Sequence, residues 1–160
     1  MQSVYLETTV IGNIAGPFHP DLGIAVRQSV TRRWWDTAPD RYELFVSALV
    51  IDECNGGDPT AAAERLVVIA GLPLLKGGDD SKTLADLLLN GRAVPQTEPR
   101  DATLIAIAAV NGIELLATWN FKHILNPATQ HLIDSICRDA GYEPATICTP
   151  EQLLEAFDDT

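Results

Sequence analysis

Residues 3–9 read SVYLETT, a short apolar run that ends at the carboxylate of Glu7 and two hydroxyl side chains. A similar arrangement recurs later, because the run LFVS at residues 44–47 precedes Glu53. A third run, LLAT at residues 115–118, also leads into polar residues. Apolar runs this short, bounded by polar or turn-forming residues, are typical of buried strands. The sequence therefore predicts strands whose carboxyl ends lead to polar side chains.

Segments with helical spacing of apolar residues separate these runs. The predicted strands are residues 3–6, 42–47, 72–75, 114–118 and 145–148. The predicted helices are residues 8–15, 21–37, 48–55, 59–70, one from residues 79–81, one from 99–101 to 110, 128–140, and one from 149–151 onward. Such alternation indicates a mostly parallel central sheet covered on both faces, a three-layer α/β/α architecture. The length of 160 residues fits a single domain over residues 1–160.

Helix boundaries follow from residues with known capping or breaking effects. We expect Thr8 or Thr9 to cap the first helix, since hydroxyl oxygens accept the free N–H groups of a first turn. The pair Pro39-Asp40 is expected to end the second helix. Acidic and hydroxyl side chains at residues 79–81 are expected to cap a later helix.

Charge and cysteine content narrow the class of protein. The formal net charge is −11, which disfavours non-specific binding to nucleic acids and anionic membranes. Three cysteines at spacings that match no zinc or redox motif are expected to be small buried side chains in a reducing compartment. No basic leader and no apolar run of about 18 residues is present, which predicts a cytoplasmic protein without a membrane partner.

Three carboxylates, those of Glu7, Glu53 and Asp101, are the candidate catalytic and metal-binding groups. The carboxyl ends of parallel strands meet at one edge of a sheet, so these distant side chains are expected to converge there. Carboxylates that converge repel one another unless a cation lies between them, and Mg²⁺ or Mn²⁺ prefers oxygen ligands. Each acid alone is better explained as a favourable charge at a helix start, and it is the three together that favour a shared metal site. For Asn120, metal ligation and loop capping are both open.

The segments YLETT (5–9), DE (52–53), RDATLIAIA (100–108) and LLATWNF (115–121) resemble the PIN-domain family, specifically the branch of VapC-type toxins from bacterial toxin–antitoxin pairs. The order and spacing of these segments extend the resemblance from residue 3 to about residue 155. The most specific parts are the start of the helix at residues 101–102 and the run TWNFKH at residues 118–123.

This resemblance implies a PIN-like fold and a Mg²⁺- or Mn²⁺-dependent endoribonuclease that hydrolyses single-stranded RNA. Its implied metal-site and catalytic residues are Glu7, Glu53, Asp101 and Asn120. The hydroxyls implied to position substrate are those of Thr8, Thr9 and Thr118. It also implies a homodimer and an antitoxin partner.

Two positions depart from the family pattern, because Glu7 and Asn120 stand where aspartate is usual. They leave open an alternative, a PIN-fold protein with weak or no catalysis that acts as an RNA- or protein-binding regulatory module. A phosphoryl-transfer receiver also uses acids at strand ends, but it needs a second acid after the first strand and a lysine after the last. This chain has neither.

The basic and aromatic residues have competing interpretations. Arg27, Arg32 and Arg33 lie near two adjacent tryptophans, Trp34 and Trp35, on one predicted helix. Packing of the tryptophans in the core or a dimer contact, with the arginine stems along the surface, is favoured over phosphate binding and base stacking.

Two features of the loop after residue 118 are also interpreted from the sequence. Trp119 fits base stacking and core packing equally. Lys122 and His123 are expected to form an exposed loop pair, and His19 and His131 are expected on the surface.

Overall fold

A parallel sheet forms the centre of the molecule in the computed structural model, which describes residues 1–158 and the side chains of residues 1–156. Its five strands run in the order β3-β2-β1-β4-β5, and every neighbouring pair is parallel. The strands are β1 (Gln2–Leu6), β2 (Tyr42–Ser47), β3 (Leu74–Leu75), β4 (Leu115–Ala117) and β5 (Thr146–Cys148). The sheet predicted from the sequence is confirmed, and it is parallel throughout.

The described residues form eight helices around this sheet. They are α1 (Thr8–Ile14), α2 (Leu22–Arg41), α3 (Ala48–Cys54), α4 (Pro59–Ile69), α5 (Asp79–Asn90), α6 (Pro99–Val110), α7 (Gln130–Asp139) and α8 (Pro150–Asp158). Contacts join α1 with α2, α3 and α4, and α2 with α8, whereas α5 contacts α6 and α7. The predicted three-layer α/β/α class is confirmed. No helix in the described part of the chain is both long and apolar enough to cross a membrane.

Burial explains why β1 is central and why α6 is so apolar. Val4, Tyr5 and Leu6 are fully buried in β1, which pairs with β2 on one side and β4 on the other. In α6, every residue from 104 to 109 is buried. A strand with helices on both faces is apolar along its whole length, whereas a solvated strand would alternate.

The sheet order fixes where a site can form. Chain connections leave β1 for β2 and β3 on one side, and β4 and β5 lie on the other. Connections that diverge in this way open a crevice at the carboxyl ends of the two strands where the order reverses, here β1 and β4.

Several local predictions were wrong. Pro39 does not end α2, which continues through Arg41. It lies in the last turn, where the ring removes one helical hydrogen bond while buried Trp34 and Ala38 hold the helix in the core. Gly78 precedes α5 without any side-chain cap, so the predicted cap by residues 79–81 is absent.

Other observed boundaries of helices and strands differ from the predicted ones by a few residues. The helix predicted from residue 128 begins as α7 at Gln130, and the strand predicted from residue 72 is limited to β3. The helix α1 is capped by Glu7, and neither Thr8 nor Thr9 serves as its cap.

Buried sulfur and indole groups behave as the sequence predicted. Cys54, Cys137 and Cys148 are buried free thiols. Trp34 is buried and Trp35 packs partly buried against the core, which confirms packing as the role of this pair.

Candidate active site at the carboxyl edge of the sheet

The carboxyl edge of the sheet gathers polar side chains from four separate segments. Glu7 follows β1, and Thr118 and Asn120 follow β4. Glu53 lies in the last turn of α3, the helix that follows β2. Asp101 lies in the first turn of α6, which leads into β4. Parallel topology therefore accounts for the convergence of residues that are far apart in sequence.

Glu7 is a buried carboxylate held by three hydrogen bonds. Its Oε1 accepts the hydroxyl protons of Thr9 and Thr118, and its Oε2 accepts the backbone N–H of Thr9 at 3.0 Å. Burial raises the pKa of Glu7, and the charge of Glu53 raises it further against the effect of the hydrogen bonds. The side chain is thus fixed in position, and it is a stronger base than an ordinary glutamate.

Glu53 connects the other acids electrostatically. Its Oε1 accepts the Thr8 hydroxyl proton at 2.9 Å, and its Oε2 lies 3.5 Å from Arg100 Nε. Its negative charge contributes to the raised pKa of both Glu7 and Asp101. These contributions are smaller than that of burial, and neither Glu7 nor Asp101 affects the pKa of the other. Among the described residues, the predicted acids Glu7, Glu53 and Asp101 do not bring their ligand atoms within 4.8 Å of one another.

Asp101 belongs to a second, tighter group at the start of α6. Its Oδ2 lies 3.1 Å from His123 Nδ1, and the same nitrogen is 4.0 Å from Glu98 Oε1. One ligand atom from each of these three side chains lies within 4.8 Å of the others. Burial raises the pKa of Asp101, and the adjacent charge of His123 lowers it in part. The group offers two carboxylates and one imidazole to a cation.

Asn120 uses its side-chain oxygen to hold the loop that follows β4. Its Oδ1 accepts the backbone N–H groups of Lys122 at 3.2 Å and of His123 at 2.9 Å. Metal coordination through this oxygen would require at least one of these contacts to be given up. The loop-capping alternative accounts for the observed geometry.

The three predicted hydroxyl residues hold the acids in place. Thr8 donates to Glu53, while Thr9 and Thr118 donate to Glu7. Thr118 is fully buried, whereas Thr8 and Thr9 are partly accessible. Thr9 also accepts the backbone N–H of Trp119 at 2.9 Å, which joins the starts of the loops after β1 and β4.

The carboxylates at this edge of the sheet, together with His123, form a donor set that fits a hard divalent cation. Carboxylate oxygens predominate. Burial raises the pKa values of Glu7 and Asp101, and nearby charges raise them further, that of Glu53 at Glu7 and those of Glu98 and Glu53 at Asp101. A divalent ion beside these groups would relieve the repulsion and favour their charged forms. An imidazole beside the oxygens is compatible with Mn²⁺ and less suited to Mg²⁺.

Sequence reasoning missed three members of this region. Arg100 was part of a matching segment without a role, yet it pairs with Asp52 at 2.7 Å and approaches Glu53. Glu98 was given no role. His123 was expected to be exposed, but its side chain is only 19% accessible and contacts Asp101. The signal for the turn that places His123 was Asn120, because asparagine side chains commonly accept backbone N–H groups a few residues on.

Comparisons of this chain with protein-family models, with curated proteins and with solved structures found no match.

Proposed function

We propose that this chain is a Mg²⁺- or Mn²⁺-dependent endoribonuclease of the PIN type, similar to VapC toxins, that hydrolyses phosphodiester bonds in single-stranded RNA. The observation that carries the proposal is that Glu53 contacts the neighbours of both other acids. Thr8, next to Glu7, donates to Glu53 at 2.9 Å, and Arg100, next to Asp101, lies 3.5 Å from Glu53. Carboxylates that approach one another repel, and a hard divalent cation bound between them would offset that repulsion. The type of reaction, RNA hydrolysis, is inferred from the resemblance of the matching segments to PIN-domain proteins.

Each acidic side chain has a distinct place in the proposed mechanism. Glu53 and Asp101 are the more accessible carboxylates and would hold the ion. A bound ion would supply Lewis acidity, which would lower the pKa of water and offset charge on the phosphate oxygens. Glu7, whose pKa is raised by burial, accepts at Oε2, the oxygen with a single hydrogen bond, one proton of the water that attacks phosphorus. The bond from phosphorus to the leaving ribose oxygen breaks, and that oxygen takes a proton from solvent. Thr9 and Thr118 keep that carboxylate oriented.

A second candidate function is a PIN-fold regulatory module with little or no catalysis. The observation in its favour is that the acids have contacts within the protein: Glu7 caps α1, Glu53 pairs with Thr8 and Arg100, and Asp101 contacts His123. A carboxylate that is already hydrogen-bonded needs no metal to be stable.

Partners and compartment follow from the proposed family. An antitoxin-like protein would silence the nuclease, and the chain would act as a cytoplasmic homodimer. A small gene for an antitoxin-like protein beside the gene for this chain would support this assignment.

Cleavage assays with matched acidic variants test the proposed function. Purified protein is incubated with a pool of single-stranded RNA in Mn²⁺, in Mg²⁺ and in excess chelator. We expect cleavage only with metal, and its loss in Asp101→Asn and Glu53→Gln. Asp52→Asn is the matched control, because Asp52 adjoins Glu53 but is exposed and points to Arg100.

The outcomes separate the two candidate functions. Cleavage that persists in chelator would contradict the metal-dependent mechanism. A folded protein that cleaves no RNA in either metal would favour the regulatory module. Equal losses in Asp52→Asn and Glu53→Gln would show that the net charge of the edge matters and that the position of Glu53 does not.

A further inference from the structure

A cationic and aromatic cluster lies directly beside the acidic edge. The Arg27 guanidinium carbon is 4.9 Å from the centre of the Trp119 ring and 5.7 Å from that of Phe121. The two rings meet edge to face, with centroids 6.2 Å apart. These three side chains come from α2 and from the loop after β4, and we call them the Arg27 cluster.

The inner member of the Arg27 cluster is anchored and the outer members are accessible. Trp119 is buried, and its Nε1 donates to Thr31 Oγ1 at 3.0 Å. Phe121 is 48% exposed, a large fraction for an aromatic side chain. Arg27 is also exposed. Burial therefore accounts for Trp119 as a packing residue. It does not account for an exposed aromatic side chain at Phe121.

The exposed position of Phe121 is imposed by the loop. Asn120 Oδ1 accepts the backbone N–H groups of Lys122 and His123, which closes a turn around Phe121. A turn held by two hydrogen bonds presents its side chain without a large loss of entropy on binding. Phe121 is therefore a preorganised aromatic surface.

The charge of Arg27 is available to an anion. Among the residues whose side chains are described, none accepts a hydrogen bond from the Arg27 guanidinium or forms an ion pair with it. Arg32, one turn further along α2, differs because it donates to the backbone carbonyls of Asn13 and Gly16. In a chain of net charge −11, a cation without an anionic partner provides a local site for a phosphate.

Short contacts link the Arg27 cluster to the acidic edge. The Trp119 backbone N–H donates to Thr9 Oγ1, and Thr9 contacts Glu7. Two residues beyond Phe121, His123 contacts Asp101. An RNA chain bound on this surface would therefore pass directly to the carboxylates of Glu7 and Asp101.

From this arrangement we infer that the Arg27 cluster binds one nucleotide of single-stranded RNA next to the scissile phosphate. The base stacks on Phe121, and Arg27 donates hydrogen bonds to the adjoining phosphate. Stacking on an aromatic side chain tolerates any base and needs an unpaired one, so it selects single strands over duplex. The inference rests on the proposed function for the position of the scissile bond, and on the Arg27 cluster alone for binding.

Equilibrium binding without cleavage tests this inference. A fluorescein-labelled oligouridylate of about a dozen nucleotides is titrated with protein in EDTA, and anisotropy is recorded at several salt concentrations. We expect Phe121→Leu to weaken binding roughly 5- to 150-fold, the range for loss of one stacked base, and Phe121→Tyr to retain it. We expect Arg27→Gln to weaken binding and to reduce the slope of log K against log salt by about 0.7, the value for one phosphate contact.

The chain contains a matched control for the Arg27 cluster. Phe18 is also exposed and is also stacked under an arginine, Arg32, at 4.3 Å, but Arg32 is engaged by backbone carbonyls. Phe18→Leu should therefore bind the oligouridylate as the unmodified protein does. Thermal unfolding of each variant verifies that the fold is intact.

Any of three binding results would overturn the inference. They are an unmodified protein that does not bind the oligouridylate, Phe121→Leu binding that equals that of Phe18→Leu, and an unchanged salt slope in Arg27→Gln. A change in sedimentation of Phe121→Leu without a change in RNA binding would show a protein contact, and would also overturn it. Lack of cleavage in Mn²⁺ with these binding effects intact would instead count against the proposed function alone.

Discussion

His123 Nδ1 lies 3.1 Å from Asp101 Oδ2, and this contact ties the loop after β4 to the first turn of α6. The backbone of His123 is held as well, because its N–H donates to Asn120 Oδ1 at 2.9 Å. A histidine fixed in this way orients the carboxylate beside it, and it adds a nitrogen to an otherwise oxygen-rich group. His123 should therefore influence metal binding.

The first prediction concerns His123→Ala. Without the imidazole, Asp101 loses the neighbour that partly offsets its raised pKa, and the site loses a ligand or an orienting contact. Removal of such partners typically weakens metal affinity about 10- to 100-fold. Isothermal titration with Mn²⁺ measures the change. His131→Ala is the control, since His131 is exposed on α7 and should leave the affinity unchanged. Equal Mn²⁺ affinities for the unmodified protein, His123→Ala and His131→Ala would exclude His123 from the metal site.

The second prediction concerns the pH dependence of stability through Glu7. Burial raises the pKa of folded Glu7 above its ordinary value of 4.5. As pH rises above 4.5, the unfolded chain releases this proton first, so the folded state binds more protons over that interval. Stability then decreases with pH, because it increases only where the unfolded state binds more protons. A single such group contributes at most about 1.4 kcal/mol per pH unit.

Glu7→Gln removes that titration while it keeps an oxygen that accepts from Thr9 and Thr118. We expect the free energy of unfolding in EDTA to fall less steeply with rising pH in Glu7→Gln than in the unmodified protein. Urea denaturation at a series of pH values above 4.5 gives the two slopes. The absolute stability of the variant is not the readout, since the amide alters one hydrogen bond. Parallel slopes would mean that Glu7 titrates alike in both states.

Particular residues show why the fold was predictable from sequence. The run before Glu7 and the apolar stretch of α6 are apolar on every side, and only elements in the interior of a layered α/β fold tolerate that pattern. Pro39 misled because a proline in the last turn removes one hydrogen bond, while tertiary packing of Trp34 supplies more than that bond is worth. Local sequence rules for helix ends predict poorly where packing against the core determines how far a helix extends.

The candidate site was predictable in part for a different reason. Acids after strands, such as Glu7, are placed by topology, so parallel strands suffice to bring them to one edge. Arg100 and His123 reach that edge through the exact path of a loop and the pitch of a helix, which periodicity does not encode. Thr9 and Thr118 were assigned to substrate, but their bonds to Glu7 depend on distances that only coordinates give.

The third prediction concerns the anchor beneath the Arg27 cluster. Thr31→Val leaves the buried Trp119 Nε1–H without the acceptor that it has at 3.0 Å. A buried donor left unsatisfied costs about 1–3 kcal/mol of stability. Urea denaturation measures the loss. The control is Thr37→Val on the same helix, whose hydroxyl contacts only the Trp34 carbonyl at 3.5 Å and should change stability by about 0.5 kcal/mol or less. Similar losses in both variants would show that the indole contact is unimportant.

The fourth prediction concerns Arg100, which lies between the acids and solvent. It pairs with Asp52 at 2.7 Å and approaches Glu53 at 3.5 Å, and its side chain is half exposed. Exposed ion pairs contribute little to stability, so Arg100→Gln should change the free energy of unfolding by about 1 kcal/mol or less. Its positive charge competes with a cation for Glu53. Removal of that charge should strengthen Mn²⁺ binding by about 1 kcal/mol, or roughly 5-fold.

A change of net charge alone would also favour a cation, so this prediction needs a matched variant. Arg138→Gln removes the same charge from an exposed pair, Arg138 with Glu143 at 2.9 Å, which involves none of the candidate site residues. Calorimetric titration should show tighter Mn²⁺ binding in Arg100→Gln than in Arg138→Gln. Weaker binding in Arg100→Gln would mean that Arg100 orients Glu53 for the metal, since loss of an orienting contact and loss of a competing charge act in opposite directions on the same affinity.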